Sequence, residues 1–75
     1  MKLQKGDIVK SKINSDMFGV SAGDLFEIMN IKKYRFFTSS SKAVEEKAAN
    51  CRFLLSPERA HIVFSLYDIE LVQRT

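Results

Sequence analysis

The chain has 75 residues, of which 45% are hydrophobic and 28% charged, a balance that fits one small globular domain over residues 1–75 and excludes wholesale disorder. One cysteine and one histidine exclude an intramolecular disulfide and a Cys/His zinc site. The net charge of +3, with a pI near 9.2, is compatible with an acidic partner. The surplus lies in the first half: residues 1–35 hold seven basic and four acidic residues, and residues 36–75 hold five of each.

The elements follow in chain order. Lys5-Gly6-Asp7 is a turn signal opening an apolar-rich run, Ile8 to Ile13, with Val9, Ser11 and Ile13 on one face of a strand. Asn14-Ser15-Asp16 are turn formers, and Met17-Phe18-Gly19-Val20 reads as an ordered apolar loop. After a second turn at Ser21–Asp24, residues 25–31 (LFEIMNI) read as the longest strand. Lys32 to Arg35 follow, and Phe36-Phe37-Thr38 either prolong that strand or begin another. Ser39–Ser41 can cap a helix, and Lys42 to Ala49 (KAVEEKAA) is built mostly of helix formers with Asn50 at its end. The expectation is a short helix around 40–50, packed through Val44 and Ala48, with a mobile loop as the alternative; Val44 stands where a capping box needs Glu or Gln. Residues 51–55 and 60–66 read as two strands of a hairpin turning at Ser56-Pro57-Glu58-Arg59. Tyr67-Asp68 fits a 3₁₀ step, and Ile69–Val72 a last strand. The expected core is Val9, Ile13, Val20, Leu25, Ile28, Ile31, Phe53, Leu55, Ile62, Phe64, Ile69 and Leu71.

About five short strands in a chain of this size point to a mainly β fold, a small barrel or sandwich. The run Lys5-Gly6-Asp7-Ile8-Val9-Lys10, its long loop into Gly23–Ile28, and the tail Val63–Val72 resemble an SH3-like small barrel. The resemblance covers residues 5–31 and 51–72. It implies a five-stranded SH3-like barrel with the short helix inserted around 40–50. The aromatic and acidic loop motif and the tryptophan of peptide-binding SH3 domains are missing, so the resemblance does not imply recognition of proline-rich peptides. A KOW motif is approached only loosely, because its glycine spacing does not continue after Asp7. The small size also resembles that of accessory proteins encoded by bacteriophages.

No catalytic constellation is present: there is no GxSxG, P-loop, HExxH or GxGxxG. Cys51 and His61 stand on opposite arms of the expected hairpin, and alternation places Cys51 in the core and His61 at the surface. Glu45-Glu46 read as a solvated face. The expectation is a non-enzyme with no cofactor and no bound metal.

Two binding readings remain. The first is a protein-interaction module, an accessory or inhibitory protein acting on a larger protein or complex, with Met17, Phe18 and Tyr34 as contacts. In that reading the Met17–Val20 patch is a contact surface; otherwise it covers one end of the barrel. The second is a DNA- or RNA-binding barrel using the basic-aromatic run at 32–37. There Lys10, Lys12, Lys32, Lys33 and Arg35 meet phosphates, and Tyr34 stacks on a base; otherwise Tyr34, Phe36 and Phe37 are core or edge aromatics and the lysines blunt an edge strand. A homodimer through an edge strand is a minor third reading. Residues 1–7 carry no apolar stretch of the secretory type, and no apolar run is long enough for a membrane, so the expected setting is cytoplasmic.

Overall fold

The longest β-rich stretch of the sequence finds a partner of nearly equal length. In the computed structural model, which describes residues 2–37 and 42–74 without the side chains of Phe36 and Phe37, β1 spans Ile8–Ser11, β2 Leu25–Phe37 and β3 Ala43–Phe53. A short β4, Ile62–Ser65, runs into a 3₁₀ turn at Leu66–Asp68, and β5 spans Ile69–Gln73. All pairings are antiparallel, and the strand order is β4-β3-β2-β1-β5. The fold is therefore mainly β, with five strands in one sheet and a single helical turn among the described residues.

The edge strands β4 and β5 are joined by only three residues. In a flat five-stranded sheet they would lie about 19 Å apart, whereas a three-residue 3₁₀ turn rises only about 6 Å. The sheet must therefore curl until its two edges approach. No ladder joins β4 to β5 among the described residues, so the sheet is not closed.

The concave face holds the core. The Phe26 ring sits at its centre, 4.6 Å from the Phe53 ring and 4.9 Å from that of Phe64. Val9, Val20, Ile28, Ala49, Cys51, Ile62 and Ile69 complete the cluster, with Leu3, Ile31 and Leu66 packed against it. The period of two puts Phe26 and Ile28 on the same side of β2. Ile31 would then face away, but the register shifts between Ile28 and Asn30, and the extra residue returns Ile31 to the core side opposite Ala49.

Five expectations are corrected. The helix around 40–50 is absent: residues 43–50 are the first part of β3, paired from Phe37↔Ala43 to Asn30↔Asn50. A helix of two or three turns is marginal alone, and here it would leave half of β2 without a ladder partner. The cap expected at Ser39–Ser41 and the strand continuation at Thr38 lie outside the described residues. Ile13 stands beyond the end of β1 and is exposed, because the buried Ser11 hydroxyl donates to the Ile13 carbonyl at 2.7 Å and accepts its N–H at 3.1 Å, closing a turn. Leu55 lies past the end of β3 and is 84% exposed, so the 51–66 hairpin has shorter arms and a longer loop than expected. Leu25 and Leu71 are only half-buried and lie outside the core cluster; at Leu25 the strand period points Phe26 inward in its place.

Candidate functional site

Two surfaces stand out, one at the open end of the β2–β3 hairpin and one midway along it. At the open end lie the loops 12–24 and 54–61. The loop after β1 is pinned by a Ser15↔Val20 bridge, with backbone hydrogen bonds of 2.8 and 2.9 Å. That bridge drives Val20 into the core and leaves the two residues before Gly19 outside: Met17 is 86% and Phe18 57% exposed. The apolar loop thus divides, with Val20 as cover and Met17 and Phe18 in solvent.

Arg59 ties this loop to the next. A turn closes with the Arg59 N–H donating to the Ser56 carbonyl at 3.0 Å. The guanidinium then lies 3.8 Å from the centre of the Phe53 ring, and its Nη2 donates to the Gly19 carbonyl at 3.5 Å. Gly19 has a φ of +67°, and a Cβ there would stand 2.7 Å from Arg59 Nη2. The left-handed φ favours glycine at this turn, and a Cβ would make the Arg59 guanidinium shift. Leu55 lies with Phe53, Ser56 and Arg59 around a shallow hollow, so Met17, Phe18 and Leu55 are carried by two loops that meet at Arg59.

The second surface is a groove of about 690 Å³ between the N-terminal segment and β2–β3. Its lining is Leu3, Ile31 and Leu66, with Gln4 and three lysines, Lys2, Lys5 and Lys47. Local chemistry fixes the N-terminal wall. Asp7 is buried, and its Oδ2 accepts the Gln4 N–H at 2.9 Å while Arg74 Nη2 stands 3.8 Å away. Gly6, at a φ of +91°, donates to the Ile28 carbonyl, and Arg74 donates to the Lys2 carbonyl at 2.9 Å. The Lys5-Gly6-Asp7 turn therefore seats Leu3 on the core and leaves Lys2 and Lys5 beside the groove. Across it, Lys47 is directly opposite Lys33 in the ladder.

The residues singled out from sequence are scattered. Lys10 is ion-paired with Glu70 at 3.1 Å, on the far side of β1 from Val9. Arg35 meets Glu45 at 3.4 Å. The Lys32 ammonium lies 5.7 Å from the Tyr34 ring centre, on the face opposite Lys33 and Arg35. Lys12 follows β1 and is exposed, its N–H donating to the Asp68 carbonyl. Lys33 and Arg35 share the core-side face of the hairpin, away from Lys10. Tyr34 is half-buried opposite Glu46, about 30 Å along β2 from the loop that carries Met17 and Phe18. Sequence reasoning passed over Lys2, Lys5, Lys47, Leu55 and Arg59. Lys47 sat in an expected helix and Leu55 in an expected core, and nothing in the N-terminal run announced that it would form a wall.

Cys51 is fully buried, and burial pushes its thiol up to about 12. At neutral pH about one molecule in 10⁵ would carry a thiolate, and His61 is exposed beside Ile62, the register partner of Cys51. Among the described residues no group of three or more His, Cys, Asp or Glu is placed to hold a metal, and no helix is long and apolar enough to cross a membrane. Compared with protein-family models, with curated proteins and with solved structures, the chain gives no match.

Proposed function

We propose that the chain is a non-catalytic protein-interaction module that docks on a larger protein or complex through Met17, Phe18 and Leu55 around Arg59. The observation that carries this reading is the exposure of three large apolar side chains on two loops held together by one stacked arginine. Burying each side chain at an interface is worth about 1.5–3 kcal/mol before association costs. Methionine, phenylalanine and arginine are also residue types enriched at interface cores. Tyr34 does not belong to this surface. The scaffold is best read as an SH3-like small barrel in a cytoplasmic setting. The strand order, the curl of the sheet and the 3₁₀ turn before β5 support that reading.

The test is capture from a lysate of the source organism on immobilised protein, comparing the native chain with a Met17→Ser, Phe18→Ser, Leu55→Ser variant. A partner held at fixed stoichiometry by the native chain, lost by the variant and insensitive to moderate salt is the expected result. Identical capture by both proteins would refute the reading. Concentration-dependent self-association abolished by the same variant would replace it with a homodimer contact.

A further inference from the structure

Three lysines, Lys2, Lys5 and Lys47, line one groove with no carboxylate in its lining, and a fourth, Lys33, lies opposite Lys47 in the ladder. Among the described residues Lys2, Lys5, Lys33 and Lys47 make no ion pair, whereas Arg35 and Lys10 each have one. The groove lining contains no acidic residue. Lys33 and Lys47 stand directly opposite each other in the β2–β3 ladder, an arrangement that repels. Two residues further along the same face, Arg35 and Glu45 pair oppositely, so the hairpin uses the favourable arrangement where no groove adjoins it.

A second hollow of about 430 Å³ continues from the groove past Leu66 and Lys47 to Tyr67. Glu46 is the one carboxylate that lines it. Tyr67 is 82% exposed and contributes nothing to the core.

We propose that this groove binds single-stranded nucleic acid, with Lys2, Lys5, Lys33 and Lys47 on the phosphates and Tyr67 stacked on a base. A cationic track beside an exposed ring is what an unpaired strand requires, because each base offers a π-face and each nucleotide a charge. The apolar floor of Leu3, Ile31 and Leu66 suits the same unstacked bases, whose faces a duplex hides. An acidic peptide would satisfy the lysines but give the Tyr67 ring no role. The site is separate from the loop patch and does not depend on it.

The test is fluorescence anisotropy with labelled single-stranded DNA and RNA oligonucleotides, a duplex and polyglutamate over a series of salt concentrations. The variants are Lys33→Ala/Lys47→Ala, Tyr67→Ala and, as a control with the same charge loss, Lys10→Ala/Lys12→Ala. All five positions are exposed, and circular dichroism checks that each variant keeps its sheet. The single strands are expected to bind best. The groove variant should lower the slope of log K against log salt by about 1.4, corresponding to two lost phosphate contacts. Tyr67→Ala should weaken binding by about 5- to 100-fold. The control should change affinity by less than about twofold, as expected for charges outside the track. Equal losses in groove and control variants, equal or tighter binding of duplex or polyglutamate, or no binding at low salt would each overturn the proposal.

Discussion

The two halves of β3 share one strand and one ladder but not one environment. From Ala48 to Cys51 the strand lies between β2 and β4, and four of the six residues from Ala48 to Phe53 are buried. From Ala43 to Lys47 it pairs only with the outer part of β2, and every residue is exposed. The inner half is held by side chains meeting across the curled sheet. The outer half is a two-stranded ribbon held by backbone pairing and a few cross-strand contacts, an arrangement that is marginal on its own. The fold thus places its buried contacts in one half and leaves the other half exposed. The same contrast recurs between the buried Val20 and its exposed neighbours Met17 and Phe18.

The comparison breaks most sharply at Phe26, which is fully buried between the Phe53 and Phe64 rings. Phe26→Ala should cost about 3–5 kcal/mol in urea denaturation. A loss below about 1 kcal/mol would show that the ring is not the centre of the core.

Alkaline pH should act next. The Cys51 thiol titrates higher in the folded chain, at about 12, than its ordinary 9.0. The folded state therefore holds its proton where the unfolded state has lost it. The Cys51 contribution to stability is fully present below pH 9 and falls as pH rises from 9 towards 12, at up to about 1.4 kcal/mol per pH unit. Cys51→Ala should flatten that part of the profile, after correction for its own packing cost.

Gly19→Ala should cost about 1–2 kcal/mol, because alanine is strained at this φ and its Cβ displaces Arg59. In the ribbon the effects shrink. Arg35→Ala removes an exposed ion pair and should cost under about 0.5 kcal/mol. Lys47→Glu should reverse the sign and stabilise the chain by about 0.2–1 kcal/mol, by turning a repulsive cross-strand pair into an attractive one. Thermal unfolding of these two variants, measured side by side, sharpens the contrast with Phe26.

Legibility followed the same division. Where a residue was buried by its own strand period, sequence was enough: Val9, Ile28, Phe53, Ile62, Phe64 and Ile69 all reach the core. The turns at Ser21–Asp24 and Ser56–Arg59 formed as their residue types require. The expected core holds Leu25, Ile28 and Ile31 but not Phe26, which the structure buries. No regular strand puts those three on one face, and a bulge between Ile28 and Asn30 cannot be seen in a sequence. Residues 43–50 misled because local propensity favours a helix there, whereas a partner strand several residues away decides the outcome. The exposed loop residues Met17 and Phe18 were legible as apolar residues out of pattern. The placement of Leu55, Lys2, Lys5 and Lys47 was not, since it arises only when distant segments meet.

Residue-resolved amide hydrogen exchange tests the central contrast most directly. The hydrogen-bonded amides of Ala49–Phe53 should exchange only through global unfolding, and those of Glu45–Lys47 at least about 100-fold faster through local opening of the ribbon. Equal protection along the whole of β3 would contradict the division between a stabilising half and an open half.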